Sequence, residues 1–559
     1  MNKKWVIKDK ISDKDISKFP EINPVILQLL FSRNLKTKSA IDQFLSPDYS
    51  KDVHDPFLFS DMEKVVARIY EARHKKQKVM IFGDYDADGV SGSTILSHVF
   101  EEINLDYEAY MPNREEEGYG LNKKAIEQFA KDKFSVLITV DCGISNKEEV
   151  DYANSLGIDV IITDHHHIPE DVPKAFGIIH PGYDDKYPFK FLAGGGVAFK
   201  LAQGILKDEK GKGLEKWLLD FVAISTVADM VPLLGENRTL VKYGLIVLNK
   251  TKNLGLKKIF EVSGISSKEM DAMTIGWQIA PRINAAGRME RANSAYQLLT
   301  TDNIEEAIMI AHSLDKRNTE RRSLTDKIST EALKQLTKVK DEPILFVKGK
   351  NWPTGIIGLV ASKIVRKYSR PVLVLGEQKD KLVASCRSID EFNLIESLNV
   401  YKKYFIKYGG HKGAAGFSMK PENYEDFKKD LTKYAGDKLK DVELVPKVEI
   451  DLEIKLSQIN WDLLNILLTF EPYGQKNVKP KFLLKKLKLK SFDTVGNDGK
   501  HLRLLVSDGD IDFKVIAFSF GSRISELKVD LDIDIVCEIG INEWNGNKQI
   551  QLSLIDFKI

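Results

Sequence analysis

The chain has 559 residues, enough for about three or four domains at roughly 100–200 residues each, which excludes a single small module. Apolar residues make up 43% of the chain and charged residues 29%, a balance that excludes a disordered or fibrous protein. The 83 Lys and Arg residues and the 81 Asp and Glu residues leave a formal net charge of +2, so whole-chain charge identifies no partner.

The cysteines and the N-terminus indicate the cellular setting. Cys142, Cys386 and Cys537 lie far apart, and no pair has the short spacing of a zinc knuckle or a redox motif. The N-terminal sequence MNKKWVIKDK becomes charged again after a few residues, and no apolar run reaches the roughly 18–20 residues that span a bilayer. We therefore expect a cytoplasmic protein with no signal peptide and no membrane anchor.

Short β-branched apolar runs alternate with helical stretches between residues 60 and 240. Continuous runs at 78–82, 135–140 and 159–163 predict strands buried on both faces, and a run at 221–227 predicts a fourth strand or, alternatively, a helix. This alternation predicts an α/β fold built on a parallel sheet. We assign this domain to residues 56–300, after an N-terminal segment of residues 1–55.

A long polar helix is predicted after this domain. Residues 303–337 contain no Gly or Pro and, if helical throughout, extend about 50 Å at ~1.5 Å per residue. That length exceeds a typical domain helix, so we interpret residues 301–338 as a connecting helix. Residues 339–442 again mix strands and helices, which predicts a second, smaller α/β domain.

The C-terminal region, residues 443–559, contains about five apolar segments with period-2 alternation. Tight turns separate them, among them Asn497-Asp498-Gly499 and Asn545-Gly546. This pattern predicts a small β-barrel or sandwich, with an OB-like barrel as the natural candidate.

Acidic or histidine residues follow each apolar run of the first domain. Because the carboxyl ends of parallel strands meet at one edge of the sheet, we expect these side chains to converge. Buried carboxylates repel one another unless cations neutralise them. Aspartates with one or two imidazoles suit Mn²⁺ or Mg²⁺ better than structural zinc, and two such ions predict phosphoester hydrolysis. The residues concerned are Asp84, Asp86, Asp88, Asp141, Asp164, His165, His166 and Asp229.

Taken singly, these patterns have simpler interpretations. The DxDxDG stretch at 84–89 is also typical of a turn or of a loop resembling a calcium site, and the histidine run of a solvated loop. The joint occurrence at successive predicted strand ends favours the metal site. Glycine-rich stretches at 354–358 and 408–416 could cradle phosphate groups or be close-packed structural turns.

Several motifs together resemble those of a known family. The sequences FGDYDADG (82–89), VDCG (140–143), TDHHH (163–167), STVADMVPL (225–233) and NAAGR (284–288) are similar to the motifs of DHH domains. GIIG (355–358), SCRS (385–388) and GGHKGAAG (409–416) are similar to those of DHHA1 domains. Over nearly its full length the chain resembles the bacterial RecJ family of single-stranded-DNA-specific exonucleases, in the DHH phosphoesterase superfamily.

The resemblance implies a role for each matching residue. It implies metal binding by Asp86, Asp88, Asp141, His165 and Asp229, with Asp141 bridging two ions of Mn²⁺ or Mg²⁺. It implies that Asp84 and Asp164 support these ligands and that His166 acts at the scissile phosphate. It implies DNA binding by Arg114, Arg288, Ser385, Arg387, Gly410 and His411. Many DHH proteins have histidine where this chain has Phe82, so we expect Asp84 or water to complete the first ion's shell.

The function implied is 5′-to-3′ hydrolysis of single-stranded DNA by two-metal catalysis, in DNA repair and recombination. The implied partners are single-strand-binding protein and a RecQ-type helicase, and the chain is expected to be a monomer. The same core also occurs in nanoRNases and cyclic-dinucleotide phosphodiesterases, which are usually shorter. A non-catalytic DNA-binding homologue is the other alternative, but such a protein should lack acidic residues that this chain retains.

Overall fold

The computed structural model describes residues 3–113, 117–207, 213–265, 270–289, 293–337, 339–496, 498–544 and 546–559. The chain divides into two compact units. The larger unit comprises Ile7–Asp315 and Glu449–Ile559, and the smaller unit comprises Met1–Val6 and Lys316–Val448.

The N-terminal segment contains one short strand and several short helices. Asn23 caps the second helix through a hydrogen bond from Val25 N, and Pro24 occupies its first turn. The buried residues of this helix belong to the same hydrophobic core as the C-terminal barrel. The elements are β1 (Lys4–Ile7), α1 (Asp13–Ser17), α2 (Pro24–Phe31), α3 (Lys38–Leu45) and α4 (Tyr49–Asp52).

A parallel sheet with strand order β3-β2-β4-β5-β6 forms the centre of the next region. Its strands are β2 (Lys78–Gly83), β3 (Tyr107–Tyr110), β4 (Phe134–Val140), β5 (Asp159–Thr163) and β6 (Gly177–Ile179). The predicted strands at 78–82, 135–140 and 159–163 are confirmed. Alternate residues of β2 enter different cores, Ile81 on one face and Phe82 on the other, which explains the continuous apolar run.

Helices cover both faces of this sheet: α5 (Met62–Lys75), α6 (Ala87–Glu102) and α9 (Gly194–Leu206) pack on one face, and α7 (Lys123–Lys131) and α8 (Lys147–Ser155) on the other. The helices that follow in the chain are α10 (Leu214–Trp217), α11 (Leu219–Ala228), α12 (Gly235–Leu248), α13 (Leu254–Ser263), α14 (Ala272–Thr274), α15 (Ala280–Met289) and α16 (Asn293–Thr300). A π-helical segment, Ile275–Ile279, joins α14 to α15.

Of the two interpretations of residues 221–227, the helix is confirmed and the strand is wrong, because these residues lie within α11. All of Leu219–Thr226 is buried, so this helix is buried around its whole circumference. A helix buried on every side shows no 3.6-residue periodicity and cannot be told from a buried strand by pattern alone.

The predicted long helix is confirmed as α17 (Ile304–Leu336), 33 residues without interruption. Ala307, Ala311 and Leu314 near its start pack in the core of the larger unit. Ile328, Ala332 and Leu336 near its end pack in a core of the smaller unit. The helix is therefore stabilised by burial in a different core at each end.

The smaller unit is an α/β domain, as predicted. Its mixed sheet has the order β10-β11-β9-β8-β7. Its elements are β7 (Leu345–Lys350), α18 (Thr354–Tyr368), β8 (Val372–Glu377), β9 (Leu382–Arg387), α19 (Leu394–Val400), β10 (Phe405–Gly410), β11 (Ala414–Met419) and α20 (Tyr424–Lys438).

The C-terminal region forms the predicted barrel. It contains β12 (Lys447–Ile450), β13 (Leu452–Glu453), α21 (Trp461–Leu468), β14 (Phe482–Val495), β15 (His501–Ser507), β16 (Asp512–Ala517), β17 (Asp532–Trp544) and β18 (Asn547–Lys558). Pairing runs in the order β14-β15-β16-β18-β17, and a further pairing of β14 with β17 closes the barrel. The β16–β18 pair is parallel and the other barrel pairs are antiparallel, an arrangement that fits an OB-type barrel.

All three cysteines are buried free thiols. Burial raises the pKa of each thiol, that of Cys537 to about 12. Across the described ranges, no helix combines the length and apolar character that crossing a bilayer requires.

Candidate metal centre

The carboxyl edge of the parallel sheet carries most of the predicted acidic residues. Asp84 follows β2, Asp141 follows β4 and Asp164 follows β5, and these strands are direct neighbours. Asp86 caps α6, its Oδ1 accepting hydrogen bonds from the backbone N–H groups of Asp88 and Gly89 at 2.8 and 3.3 Å. The strand-to-helix turns therefore bring these carboxylates to one edge of the sheet.

His165 lies at the centre of the group. Its Nε2 is 3.1 Å from an oxygen of Asp141 and 3.6 Å from oxygens of both Asp88 and Asp229. Ligand atoms of Asp88, His165 and Asp229 all lie within 4.8 Å of one another, as do those of Asp84, Asp86 and Asp141. The described residues thus contain two adjacent clusters, each of which could hold a cation, and the ligand atoms of a third group, Asp141, His165 and His166, are equally close to one another.

Asp229 reaches the site from a helix, since α11 ends at Ala228 and the acid is its C-cap residue. Met230 then takes a left-handed conformation with φ of 59°, which turns the chain sharply after the acid. The side chain of Asp229 is 29% exposed, whereas those of Asp88 and Asp141 are almost fully buried. The site is therefore open to solvent on the side of Asp229.

Asp141 has an unusual backbone conformation, with φ of 62°. Few residues other than glycine adopt this left-handed region, and such conformations cluster at functional sites. A Cβ atom at Gly194 would lie 2.6 Å from Asp141 Cβ. The start of α9 therefore approaches Asp141 so closely that only glycine fits at position 194. Local strain and close packing together fix the direction of this carboxylate.

The start of α9 also holds Asp88. Gly194 N donates to Asp88 Oδ2 at 2.8 Å, and Gly195 N donates to Asp88 Oδ1 at 2.7 Å. Ser225 Oγ donates to the same Oδ1 at 2.6 Å. Free N–H groups at a helix start favour a negative charge. Sequence reasoning missed these partners, although the Gly194-Gly195-Gly196 run was a visible signal of close backbone approach.

Crowding raises the pKa values of the acidic residues. Burial first, and then the neighbouring carboxylates, raise the pKa of Asp86 and hold that of Asp141 well above its usual value. The same causes raise the pKa of Asp229 to about 8. Bound divalent cations would relieve this repulsion, so the donor set fits a metal centre.

Asp164 differs from the other acids because it receives many hydrogen bonds. Burial alone would raise its pKa, but the bonds lower it to about 2. The donors are Ile144 N at 2.9 Å, His165 N at 2.7 Å, His166 N at 3.1 Å and His166 Nδ1 at 2.8 Å. Asp164 is therefore a charged support for the histidine pair.

His166 faces the open side of the site, with 41% of its side chain exposed. Burial lowers its pKa, but the bond and charge of Asp164 outweigh that cost and raise the pKa to about 9. An imidazolium ion beside the acidic clusters can donate a hydrogen bond or a proton to an anionic substrate.

Two further residues that contact the site, Tyr119 and Asn284, were not predicted as site residues. Tyr119 Oη lies 3.0 Å from His166 Nδ1 and donates to the Asp141 carbonyl at 3.1 Å. Asn284 Oδ1 accepts from Ala87 N at 2.7 Å, which ties α15 to the first turn of α6. A tyrosine or an asparagine alone carries no motif, although Asn284 lies in the NAAGR sequence.

Phe82 is fully buried and stacks on Tyr110 with ring centroids 5.5 Å apart. It belongs to the core on the other face of the sheet from Ile81 and lies outside the acidic clusters. Asp84 lies in the cluster with Asp86 and Asp141. It is therefore close to the ion that lacks the histidine ligand which many DHH proteins have in place of Phe82.

The predicted DNA-binding residues lie in several places. Arg114 falls outside the described residues, and Arg288 lies on α15, where the structure describes its backbone only. The remaining four, in the smaller unit, lie on or next to strands β9 and β10, which both pair with β11. They are Ser385, Arg387, Gly410 and His411.

These four residues form a glycine-rich corner of the smaller sheet. Arg387 Nη1 donates to Ser385 Oγ at 3.3 Å, and Gly416 pairs with Ser385 across the sheet. Gly410 has φ of 142°, and a Cβ atom there would lie 2.4 Å from Ala415 Cα. Only glycine at position 410 can adopt this backbone conformation so close to Ala415.

Models of three protein families match the chain. The description "DHH family, N-terminal domain" fits residues 78–226, "DHHA1 domain" fits residues 341–437, and "RecJ OB domain" fits residues 450–556. The sheet, its acidic edge and these matches define a DHH-family protein with a DHHA1 domain.

Relatives that match over nearly the whole chain identify the family within this class. A protein named single-stranded-DNA-specific exonuclease RecJ from Bacillus subtilis (strain 168) is 36% identical, over 99% of this chain and 70% of the relative. A protein of the same name from Escherichia coli (strain K12) is 30% identical, over 95% of each chain. The crystal structure of RecJ in complex with Mn²⁺ from Thermus thermophilus superposes with a TM-score of 0.85 at 25% identity, covering 100% of this chain and 79% of that one. The chain belongs to the RecJ family.

Proposed function

We propose that this protein is a metal-dependent exonuclease that degrades single-stranded DNA from its 5′ end. The observation that carries the proposal is the pair of adjacent acidic clusters around His165, at the carboxyl edge of a parallel sheet. The RecJ-type barrel and the relatives named single-stranded-DNA-specific exonucleases support this substrate over short nucleotides. Activity in DNA repair and recombination is part of the same proposal.

The cofactor proposed is a pair of Mn²⁺ or Mg²⁺ ions. One cation would be held by Asp84, Asp86 and Asp141, and the other by Asp88, His165 and Asp229, with Asp141 adjacent to both sets. When bound, such cations activate water and neutralise charge on a phosphoryl group. The raised pKa values of Asp86, Asp141 and Asp229 support cation binding.

His166 is the proposed catalytic residue outside the ligand sets. Its imidazolium is held by Asp164 Oδ1 at 2.8 Å and faces the open side of the site. From there it can stabilise charge on the scissile phosphate or donate a proton to the leaving oxygen. Asp164, in turn, keeps the imidazole oriented and charged.

DNA contacts and partners are proposed from the family resemblance. We assign phosphate binding to Arg114, Arg288, Ser385, Arg387, Gly410 and His411, and cooperation to single-strand-binding protein and a RecQ-type helicase. We also propose a cytoplasmic monomer. Its proposed divisions are residues 1–55, 56–300, 301–338, 339–442 and 443–559.

The test uses purified protein with Mn²⁺ on a 3′-labelled long single strand, its duplex and a panel of dinucleotides. We expect stepwise loss of nucleotides from the 5′ end of the single strand only. Cleavage confined to dinucleotides would indicate a short-substrate phosphodiesterase instead, and absence of all cleavage would indicate a non-catalytic DNA-binding protein.

A further inference from the structure

The short segment that follows Asp229, between α11 and α12, contributes to two hydrophobic cores. Leu233 is 1% exposed and packs in the core of the parallel-sheet domain. The next residue, Leu234, packs against the core shared by the N-terminal helices and the barrel. The path of the chain just after a proposed metal ligand therefore depends on both cores.

A turn of the C-terminal region contacts this segment directly. Residues 469–477, which we call the clamp turn, lie between α21 and β14. Leu233 N donates to the Gln475 carbonyl at 2.9 Å. A Cβ atom at Gly474 would lie 2.5 Å from Leu233 Cδ1 and 3.0 Å from Leu233 Cγ, so glycine is required for this approach.

Arg238, on α12, holds the clamp turn in place. Its side chain is 1% exposed and donates to the carbonyls of Thr469, Phe470 and Glu471 at 2.7, 2.9 and 2.9 Å. A buried guanidinium needs several acceptors, and these carbonyls supply them. The same helix thus fixes the turn that contacts Leu233.

Asn477 completes the arrangement from within the turn. It is fully buried, and its Nδ2 donates to the carbonyls of Phe470 and Pro472 at 2.8 and 2.9 Å. Its Oδ1 accepts from Arg33 Nε at 2.7 Å, which links the turn to α2. Such a network of satisfied buried groups is rigid.

We propose that the clamp turn positions Asp229 through Leu233, and so sets the cation affinity of the cluster formed by Asp88, His165 and Asp229. The inference rests on the proposed function, because it concerns cation binding at the same centre. The C-terminal region would then contribute to the metal site as well as to the barrel. Partners that orient a ligand without touching the metal typically change affinity by about 10–100-fold.

The test compares Gly474→Ala with wild type in the full-length chain. The added methyl group must displace Leu233, so we expect the affinity for the Mn²⁺ held by Asp88, His165 and Asp229 to fall about tenfold. Mn²⁺ titration followed by electron paramagnetic resonance measures this affinity. We also expect the Mn²⁺ concentration for half-maximal cleavage to rise by the same factor while the rate at saturating Mn²⁺ is retained.

The matched control is Gly540→Ala on β17, where the nearest atom to a new Cβ is the flexible end of Lys479 at 3.4 Å. This variant should bind Mn²⁺ as wild type does. The double variant Leu233→Ala/Gly474→Ala removes the clash and partly refills the space of Leu233 with the new methyl group, so it should bind Mn²⁺ more tightly than either single variant. If Gly474→Ala does not fold, Leu233→Ala alone loosens the same contact and should lower the affinity in the same direction.

The outcomes separate this inference from the proposed function. A folded Gly474→Ala protein with unchanged Mn²⁺ affinity overturns the inference alone, provided that Asp229→Asn loses both the second Mn²⁺ and cleavage. If Asp229→Asn retains both, the two-metal assignment fails and the positioning role fails with it.

Discussion

Asp141 illustrates how one residue can serve a site at the expense of stability. It is buried among other carboxylates, its pKa is held well above the usual range, and its backbone lies in the left-handed region. Both features cost free energy in the cation-free protein. The same features place an acidic oxygen next to both clusters.

We predict that Asp141→Asn abolishes Mn²⁺-dependent cleavage and stabilises the cation-free protein. Asparagine tolerates the left-handed conformation and removes one repelling charge, so the free energy of unfolding should rise by about 1–2 kcal/mol. Urea unfolding in the presence of a chelator and cleavage of a labelled single strand measure the two effects. The exposed Asp151→Asn on α8 is the control; cleavage by Asp141→Asn would refute the bridging role.

Ser225→Ala tests the support of Asp88. The substitution removes the 2.6 Å hydrogen bond to Asp88 Oδ1 and adds no bulk, so Mn²⁺ affinity should fall about tenfold with the fold retained. Ser97→Ala removes a buried α6 hydroxyl that bonds to the Ser93 carbonyl and to Tyr296 of α16, and it should leave Mn²⁺ binding unchanged. Equal affinities for Ser225→Ala and wild type would show that the two glycine N–H groups are sufficient.

Sequence reasoning located the acidic residues of the site but few of their supporting partners. Aspartates at predicted strand ends can be recognised from residue type alone, and the topology of a parallel sheet then implies that they converge. Gly194, Gly195 and Tyr119 act through backbone N–H groups or a single hydroxyl, and such roles depend on three-dimensional position rather than on residue type.

At the scale of secondary-structure elements, α9 and α12 are joined by a buried ion pair. Lys200 Nζ lies 2.5 Å from Glu236 Oε1, and both side chains are fully buried. Glu236 also accepts from Tyr187 Oη at 2.7 Å and from His54 N at 3.0 Å. These contacts fix the helix that holds Asp88 against the helix that follows Asp229.

We predict that Lys200→Met lowers the free energy of unfolding by about 3–5 kcal/mol, because it leaves a buried carboxylate without its cation. Adding Glu236→Gln should recover at least half of the loss, since the amide can still serve His54 and Tyr187. Removing an exposed pair by Lys38→Met should cost less than about 1 kcal/mol. Urea denaturation compares the variants, and a single Lys200→Met variant as stable as wild type would contradict the prediction.

Sequence periodicity correctly predicted the elements that are buried on one face only and those that are long. The barrel strands and α17 were predicted because alternation or uninterrupted helix formers define them. It left strand and helix open for residues 221–227, where α11 is buried on every side. The short strands β3 and β6 were also missed, because each has too few residues to show a pattern.

At the scale of the whole molecule, domain order could be predicted but long-range packing could not. The sequence indicated a parallel-sheet domain, a long helix, a smaller α/β domain and a barrel. It did not indicate that the N-terminal helices share a core with the barrel, or that Arg238 holds a turn more than 230 positions away. Such contacts depend on shape complementarity between distant segments, which local pattern does not encode.

The burial of all three thiols has a practical consequence for chemistry on the intact protein. A thiolate reacts with maleimides and peroxides, but burial keeps these groups protonated and inaccessible. We expect the folded protein to show no rapid reaction with a maleimide dye and to keep its cleavage rate after brief peroxide treatment. A single cysteine introduced at an exposed surface position would then carry a fluorophore at one known place, without removal of any native cysteine.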